Sequence, residues 1–293
     1  MRWWFIAISI ATGGLAQDFP DIRVETIARE MHFAEGPAWS LEGFLLFSDT
    51  VTDQIKKWTP GKGLSDFGSR AGGANGNTYD EQGRLYTCEF RERRVVRVAK
   101  NGKTDVLAAR YGGKRLNAPA DIAVRRDGNV YFTDPAFGNQ QDARELDFYG
   151  VFRITPKGDL EPVAKWSTRP KGIALSANGR LLYVTDADAR SIRLFDLDKN
   201  GVASGERVFI QRVEGVPGGL RTDEKGNLYV AAKYLYIYSP RGELLKEIRL
   251  SETPSNVAFG DADFSTLYVT ARSSVYRIRV GVKGALQYAP QVP

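Results

Sequence analysis

Three side chains able to do chemistry occupy the same place in separate copies of a short repeated pattern. Glu35, Asn75 and Lys171 each lie eight residues before a glycine that begins a run of apolar and aromatic residues. A carboxylate can act as a general base, an amide can hydrogen-bond a polar ligand, and an ammonium can stabilise developing negative charge. If the copies are structurally equivalent, these three side chains converge and form a polar pocket.

Other candidates for catalysis are few. His32 is the only histidine, so a histidine-based triad is excluded unless it forms around this residue, which we interpret as a solvated or packing side chain. Cys88 is the only cysteine, so the chain has no internal disulfide. The glycine-rich stretch at 72–76 is not followed by a predicted helix and is therefore a poor candidate for a phosphate-binding loop.

An internal repeat predicts the elements that position these side chains. Each copy has a turn residue, then an apolar and aromatic run, then in most copies Ser or Thr followed by an acidic residue. The six copies are GFLLFSD at 43, GRLYTCE at 83, GNVYFTD at 128, GRLLYVTD at 179, GNLYVAA at 226 and STLYVTA at 265. Their spacings are 40, 45, 51, 47 and 39 residues. A period of about 45 residues with strand-like content is typical of a β-propeller, in which each repeat is one four-stranded blade.

The repeat predicts an all-β fold, a six-bladed β-propeller with a site in its central channel, formed by a single domain over residues 22–288. The segment IRVETIA at 22–28 precedes the first copy, so we expect it to complete the last blade and close the ring. Counting back from the turn residues gives six equivalent marker positions, which should begin the innermost strands. They are Glu35, Asn75, Ala120, Lys171, Gly218 and, with a two-residue offset, Ser255. Because propellers bind ligands at the channel mouth, Lys171 should face Glu35 and Asn75 across a shared pocket.

Composition and charge narrow the class of protein. The chain of 293 residues is 42% hydrophobic and 26% charged, as expected of a globular protein with a large core. Its formal charge of +6 is spread among acidic residues without the basic stripe of a nucleic-acid-binding surface. We therefore expect the partner to be a small-molecule ligand rather than nucleic acid. We also expect the protein to be a monomer.

The N-terminus has the features of an export signal. Residues 1–16 contain one arginine, an apolar run and small residues near the end, which predicts a cleaved signal peptide and a periplasmic or secreted protein. The run is too short to span a bilayer, and no other segment is long enough, so no membrane span is expected.

Motifs spread over most of the chain carry a family resemblance. They include EGPAWS, ANGNTYDEQGRLYTCEF, RLNAPADIAVRRDGNVYFTDPAFG, GIALSANGRLLYVTD and PSNVAFG, in consistent order between residues 30 and 280. Together they resemble the senescence marker protein/gluconolactonase/luciferin-regenerating enzyme family. The resemblance implies a six-bladed propeller that hydrolyses lactones or related esters with a divalent metal in the channel, usually calcium. The implied metal ligands are a glutamate in E-G-P, asparagines in P-N-D and P-N-G, and an aspartate in P-D-G.

This chain departs from that pattern at the metal ligands themselves. E-G-P is intact and supplies Glu35, but the other motifs have become Pro119-Ala120-Asp121, Pro170-Lys171-Gly172 and Pro217-Gly218-Gly219. Calcium prefers six to eight oxygen ligands, and a nearby ammonium would repel it. Ala120, Lys171 and Gly218 therefore argue against the calcium expected for the family, and we predict that the protein uses no metal or other cofactor.

Two roles for Lys171 remain open. Its ammonium can fill the space of the missing metal and pair with Glu35, because a buried carboxylate without a partner is destabilising. It can also act as a base or as an amine nucleophile. Glu35, Lys171 and Asp121 are the predicted catalytic residues. Asp121 follows a changed ligand position, and its position fits a role in supporting the site and a role in the strand structure equally well.

The predicted substrate-binding residues are Asn75, Asn117 and Arg144. Asn117 lies in RLNAPADIAV, just before the marker position of the third copy. Arg144 lies in the irregular stretch 137–150, which lengthens one repeat spacing and also contains Gln140 and Gln141. This stretch either leans over the channel mouth or packs as ordinary surface structure.

Two classes of function follow. The first is an exported gluconolactonase-like hydrolase of a lactone or related ester of a small hydroxylated molecule, acting without calcium. In it Glu35 serves as general base or positions the water, Lys171 stabilises negative charge and Asn75 hydrogen-bonds the substrate. The second is a non-catalytic propeller that binds a small carboxylate or sugar acid at Lys171, and a metal-independent enzyme that depends on the lysine in another way is a further alternative. The fold does not decide among them.

Overall fold

Six four-stranded antiparallel sheets follow one another along the chain and form the blades of a propeller, as the repeat predicts. The computed structural model describes residues 22–68 and 71–289. The predicted signal peptide, residues 1–16, lies outside the described residues. Within the described residues, no helix is long and apolar enough to cross a bilayer.

The blades are built from consecutive strands, with the first strand of each blade lying nearest the channel. Strand β1 (Val24–Ala28) precedes blade 1, which contains β2 (Ala34–Ser40), β3 (Phe44–Asp49), β4 (Gln54–Thr59) and β5 (Gly63–Asp66). Blade 2 contains β6 (Ala74–Tyr79), β7 (Leu85–Glu89), β8 (Arg94–Val98) and β9 (Thr104–Ala108). A small hairpin of β10 (Arg110–Tyr111) and β11 (Lys114–Arg115) follows.

The remaining blades repeat this order. Blade 3 contains β12 (Ile122–Val124), β13 (Val130–Asp134), β14 (Tyr149–Ile154) and β15 (Leu160–Trp166), with a single 3₁₀ turn at Gly138–Gln141 between β13 and β14. Blade 4 contains β16 (Pro170–Leu175), β17 (Leu181–Asp186), β18 (Ser191–Leu197) and β19 (Ala203–Ile210). Blade 5 contains β20 (Leu220–Thr222), β21 (Leu228–Ala231), β22 (Leu235–Tyr238) and β23 (Leu244–Ile248). Blade 6 contains β24 (Asn256–Gly260), β25 (Thr266–Ala271) and β26 (Ser274–Arg279).

The first strand of the chain closes the ring. Strand β1 pairs antiparallel with β26 and becomes the outermost strand of blade 6, so the prediction from IRVETIA is confirmed. Because the two ends of the propeller chain share one sheet, opening the ring would require this strand pairing to break.

The core is divided among the interfaces between blades. Six separate clusters of buried apolar residues lie one at each interface, including the one between blades 6 and 1. Aromatic residues of the repeated pattern, such as Phe47, Tyr131 and Tyr229, are fully buried in these clusters. The apolar run of each repeat is therefore explained by packing against the neighbouring blade on both faces of the sheet.

The Ser/Thr and acidic residues of the repeat join neighbouring segments. The hydroxyl of Ser48 donates to the carbonyl of Asn75 at 2.9 Å, and that of Thr133 donates to the carbonyl of Lys171 at 2.6 Å. Each bond links one blade to the marker residue of the next. Asp49 and Asp134 instead accept backbone N–H bonds from the loops that lead into their own blades. These aspartates therefore have a structural role, since they fix the loops through hydrogen bonds.

A segment near the C-terminus covers the end of the channel opposite the markers. Residues 284–289, here called the C-terminal strap, contact several blades in turn. The backbone N–H of Ala285 donates to Thr222, Gln287 donates to the carbonyl of Ser176, and the Tyr288 hydroxyl donates to the carbonyl of Trp39, at 2.9, 2.9 and 2.8 Å. The strap therefore ties blades 5, 4 and 1 together beneath the channel.

Candidate active site

An ion pair crosses the channel at the marker positions. The Lys171 ammonium nitrogen lies 3.3 Å from Oε1 of Glu35, whose other oxygen accepts the backbone N–H of Gly36 at 3.0 Å. The Glu35 side chain is 4% exposed, whereas the Lys171 side chain is 24% exposed. The carboxylate is thus buried against the protein, and the ammonium also faces open space.

That space is a cavity of about 360 Å³ at the channel mouth. Glu35, Asn75 and Lys171 all line it, so the structure brings together the three residues placed by the repeat. Its other lining residues are Phe33, Thr50, Phe90, Ala118, Ala120, Phe137, Gln140 and Val216. Among the described residues, the Asn75 side chain has no hydrogen-bond partner, which leaves its amide available to a ligand.

Local irregularities in the inner strands coincide with these three residues. The pairing of the first two strands shifts register between Glu35 and Ala38 in blade 1, and between Ala74 and Asn77 in blade 2. Blade 4 shows the same shift between Pro170 and Ile173. A β-bulge bends a strand and redirects its side chains. The bulges therefore account for the turning of Glu35, Asn75 and Lys171 towards the cavity.

Small residues beside the markers let the inner strands approach closely. A Cβ atom added to Gly36 would lie 1.8 Å from the carbonyl oxygen of Asn75, and one on Gly218 would lie 2.2 Å from that of Ser255. Gly172 is equally confined, with the carbonyl oxygen of Gly218 at 2.3 Å. The glycines that follow or occupy the markers are thus required by backbone packing around the axis.

Asp121 lies one layer deeper than the Glu35–Lys171 pair. Its side chain is buried, and Oδ2 accepts the backbone N–H of Ile173 at 3.1 Å and lies 3.3 Å from the Arg221 guanidinium. Its Oδ1 has no hydrogen-bond partner among the described residues. Asp121 does not line the large cavity but borders the narrow channel beneath it. It can therefore influence the ion pair above it more readily than it can touch a ligand.

Asn117 and Arg144 are placed away from the ion pair. The Asn117 side-chain amide donates to the carbonyls of Asp134 and Phe148 at 3.1 and 3.0 Å, which fixes the loop that enters blade 3. The Arg144 guanidinium lies over the ring of Tyr149, 4.4 Å from its centroid. Neither residue lines the cavity at the ion pair, but Asn117 lines an adjoining cavity of about 520 Å³ that shares Phe90 and Gln140 with it. From the irregular stretch 137–150, it is Phe137 and Gln140 that reach the cavity at the ion pair.

Burial raises the pKa of Asp134, the aspartate that accepts the backbone N–H of Asn117. Asp134 is fully buried, and desolvation raises its pKa to about 7, although the backbone N–H bonds from Asn117 and Ala118 act in the opposite direction. Both bonds are 2.8 Å long. Since Ala118 lines the cavity, Asp134 supports one wall of the site from behind.

Several site residues are not indicated by the repeat. Phe33, Thr50 and Phe90 lie in loops just before or just after a repeated segment, where the pattern does not constrain the residue type. The sequence does distinguish Arg221, because this residue lies three positions after its marker, where the other five copies have alanine or threonine. The small residues at those equivalent positions leave room in the channel for its long side chain.

The residues at the family's metal-ligand positions do not match the donor set of a calcium site. Glu35 supplies the only carboxylate there, Ala120 and Gly218 have no side-chain oxygen, and the Lys171 ammonium lies beside the carboxylate. Within the described part of the chain, no group of three His, Cys, Asp or Glu side chains is arranged to hold a metal ion. The cation nearest to Glu35 is the lysine.

Comparisons with known proteins agree with the fold and the motifs. A family model described as the SMP-30/Gluconolactonase/LRE-like region matches residues 33–273. A gluconolactonase of Zymomonas mobilis is 33% identical over 89% of this chain and 82% of its own length. A pentonolactonase of Haloferax volcanii is 25% identical over 80% of each chain. A solved gluconolactonase structure from Xanthomonas campestris is 30% identical, with a TM-score of 0.84 over 92% of each chain. The protein therefore belongs to the SMP-30/gluconolactonase/LRE-like family.

Proposed function

We propose that this protein is a lactonase-like hydrolase that opens a lactone or related ester of a small hydroxylated molecule, with Lys171 acting where relatives of the family use calcium. The observation that carries the proposal is the 3.3 Å contact between Lys171 and Glu35 at the floor of a cavity of about 360 Å³. Support for the reaction class comes from relatives named gluconolactonase, pentonolactonase and lactonohydrolase.

The pair supplies the two functions that lactone hydrolysis needs. Glu35 accepts a proton from water as the water oxygen bonds to the lactone carbonyl carbon. Lys171 donates a hydrogen bond to the carbonyl oxygen, which becomes negative as the tetrahedral intermediate forms. The ring C–O bond then breaks, the leaving oxygen takes the proton from Glu35, and a hydroxy acid is released. Asn75 hydrogen-bonds the bound molecule at the cavity wall.

The same geometry supports a second candidate. Among the described residues Lys171 is paired only with Glu35, so its ammonium has donors left for a bound carboxylate. A protein that held a sugar acid in this way without turning it over would need no general base. The two candidates differ in whether Glu35 is required for anything besides pairing with the lysine.

Hydrolysis of a panel of aldonolactones and simple lactones, followed by acid release with and without a chelator, tests the proposal. We expect turnover that the chelator does not reduce. Lys171→Met should lower kcat by about 10²–10³-fold, the usual effect of removing one oxyanion donor. Lys56→Met is the matched control, because Lys56 also pairs with a carboxylate, that of Asp66, on the outer strands of blade 1.

Three results would contradict the proposal. Loss of turnover with chelator and its recovery with calcium would show that hydrolysis depends on a metal ion. Full activity of Lys171→Met would show that the lysine takes no part in the reaction. Absence of turnover on every lactone, together with a rise in Tm caused by gluconate that Lys171→Met abolishes, would favour the binding protein.

A further inference from the structure

The wall of the cavity above the ion pair is apolar. Phe33, Phe90, Phe137 and Val216, here called the apolar rim, come from four different loops around the channel mouth. Val216 is 52% exposed, although it is a large apolar residue. A cavity that combines one charged pair with an apolar wall fits a ligand that is polar at one end and apolar at the other.

Two of the rim rings are held in place from outside the cavity. The Arg91 guanidinium lies 5.5 Å from the Phe90 ring centroid and donates to the carbonyls of Thr50 and Val51 at 3.1 and 3.0 Å. The Arg169 guanidinium lies 4.8 Å from the Phe137 ring centroid and pairs with Asp188. Cation–π contacts of this kind favour one ring orientation. The rim is therefore a preformed surface.

Two polar groups at the rim are each partly engaged within the protein. The Thr50 hydroxyl donates to the carbonyl of Phe33 at 3.3 Å, and Oε1 of Gln140 accepts the backbone N–H of Phe137 at 3.1 Å. A ligand hydroxyl pressed against this wall would lose its hydrogen bonds to water and gain few in return. An alkyl or aryl group in the same place would lose nothing and would bury apolar area.

From these contacts we infer that the molecule bound here carries an apolar substituent, with its lactone or carboxylate group at Lys171 and its substituent against the apolar rim. The inference rests on the proposed function for the reaction, the opening of a lactone or ester, but it replaces the hydroxylated substrate with one that carries an apolar substituent. The contacts that carry it concern recognition alone. It distinguishes this site from one built for a fully hydroxylated sugar lactone, whose every face presents hydroxyls.

Three lactones with the same six-membered ring test this inference: δ-valerolactone without a substituent, δ-decalactone with a pentyl chain, and D-glucono-δ-lactone with hydroxyls. We expect kcat/KM for δ-decalactone to exceed that for each of the others by at least about 10-fold, since a few methylene groups in an apolar pocket give discrimination of this size. Val216→Asn should reduce the preference for δ-decalactone over δ-valerolactone by about threefold or more. Val202→Asn is the control, because Val202 is 46% exposed and does not line the cavity.

Equal or greater kcat/KM for D-glucono-δ-lactone would overturn the inference, and so would a preference that Val216→Asn leaves unchanged. Measuring the binding of the ring-opened products distinguishes failure of this inference from failure of the proposed function. If no lactone is hydrolysed, calorimetry with 5-hydroxydecanoate and gluconate still measures recognition. Tighter binding of 5-hydroxydecanoate would support the apolar rim in a non-catalytic protein, and tighter binding of gluconate would refute it.

Discussion

Lys171 belongs to blade 4 and Glu35 to blade 1, which lie opposite each other in the ring of six, and their side chains meet at 3.3 Å on the channel axis. A second ion pair lies beneath them, between Asp121 of blade 3 and Arg221 of blade 5, at 3.3 Å. The upper pair faces the cavity, whereas Arg221 of the lower pair lines a pocket at the other end of the channel. The channel is thus filled by cations held between blades that are not neighbours, and each cation neutralises a buried carboxylate.

The upper pair should contribute to stability as well as to chemistry. We expect Lys171→Met to lower the free energy of unfolding by about 2 kcal/mol, between the values typical of surface and of fully buried pairs, because Glu35 is buried but Lys171 is partly solvated. Lys171→Met combined with Glu35→Gln should recover much of that loss, since no unpaired carboxylate remains. Urea denaturation of the unmodified protein, Lys171→Met, Glu35→Gln and the double variant measures both effects.

The matched cycle on Lys56 and Asp66 provides the comparison, because that pair lies on the outer strands with Asp66 largely exposed. We expect each of its single substitutions to change the free energy of unfolding by less than about 1 kcal/mol. A Lys171→Met/Glu35→Gln protein no more stable than Lys171→Met alone would show that the lysine does not neutralise Glu35.

Repeat register was sufficient to bring Glu35, Asn75 and Lys171 together, because the markers recur at the same point of each inner strand. It could not separate residues that line the cavity from those behind it. The Asn117 amide holds the loop that enters blade 3, and Arg144 stacks on Tyr149. Both residues lie in irregular segments, and the path of such a segment depends on long-range contacts. The apolar rim could not be predicted from the sequence for the same reason, because the repeat does not show which loop phenylalanines reach the cavity.

Calcium binding provides a second prediction. We expect calorimetric titration of the unmodified protein with calcium to give no saturable heat at the channel, because Ala120 and Gly218 supply no oxygen and Lys171 repels the ion. Ala120→Asn with Lys171→Asn should create weak binding, with Kd on the order of 10⁻³ M. Adding Gly218→Asp should destabilise the protein, since a Cβ there would lie 2.2 Å from the carbonyl oxygen of Ser255. Saturable binding by the unmodified protein that Glu35→Gln abolishes would contradict this prediction.

The C-terminal strap should stabilise the ring from the end opposite the site. Tyr288 is 9% exposed, packs its edge against Tyr79 and donates to the carbonyl of Trp39. We expect Tyr288→Ala to lower the free energy of unfolding by about 3–5 kcal/mol and Tyr288→Phe by about 1 kcal/mol, through loss of packing and of one hydrogen bond respectively. Turnover per folded molecule should be unchanged in Tyr288→Phe. A Tyr288→Ala protein as stable as the unmodified one would show that the strap is not part of the folded core.

The last prediction concerns Asp134, whose pKa is raised to about 7 by burial. Between its ordinary value of 3.8 and about 7, the folded protein holds a proton on Asp134 that the unfolded chain has released. The stability that this proton provides is therefore present at low pH and is lost as the pH rises through that window, by up to about 1.4 kcal/mol per pH unit. Urea denaturation at pH 5, 6, 7 and 8 should show the unmodified protein losing stability relative to Asp134→Asn up to about pH 7 and no further above it. Asp105→Asn is the control: Arg97 lowers the pKa of Asp105, so its difference from the unmodified protein should be constant over the same range. A constant difference for Asp134→Asn as well would mean that the two backbone N–H bonds keep the carboxylate ionised despite its burial.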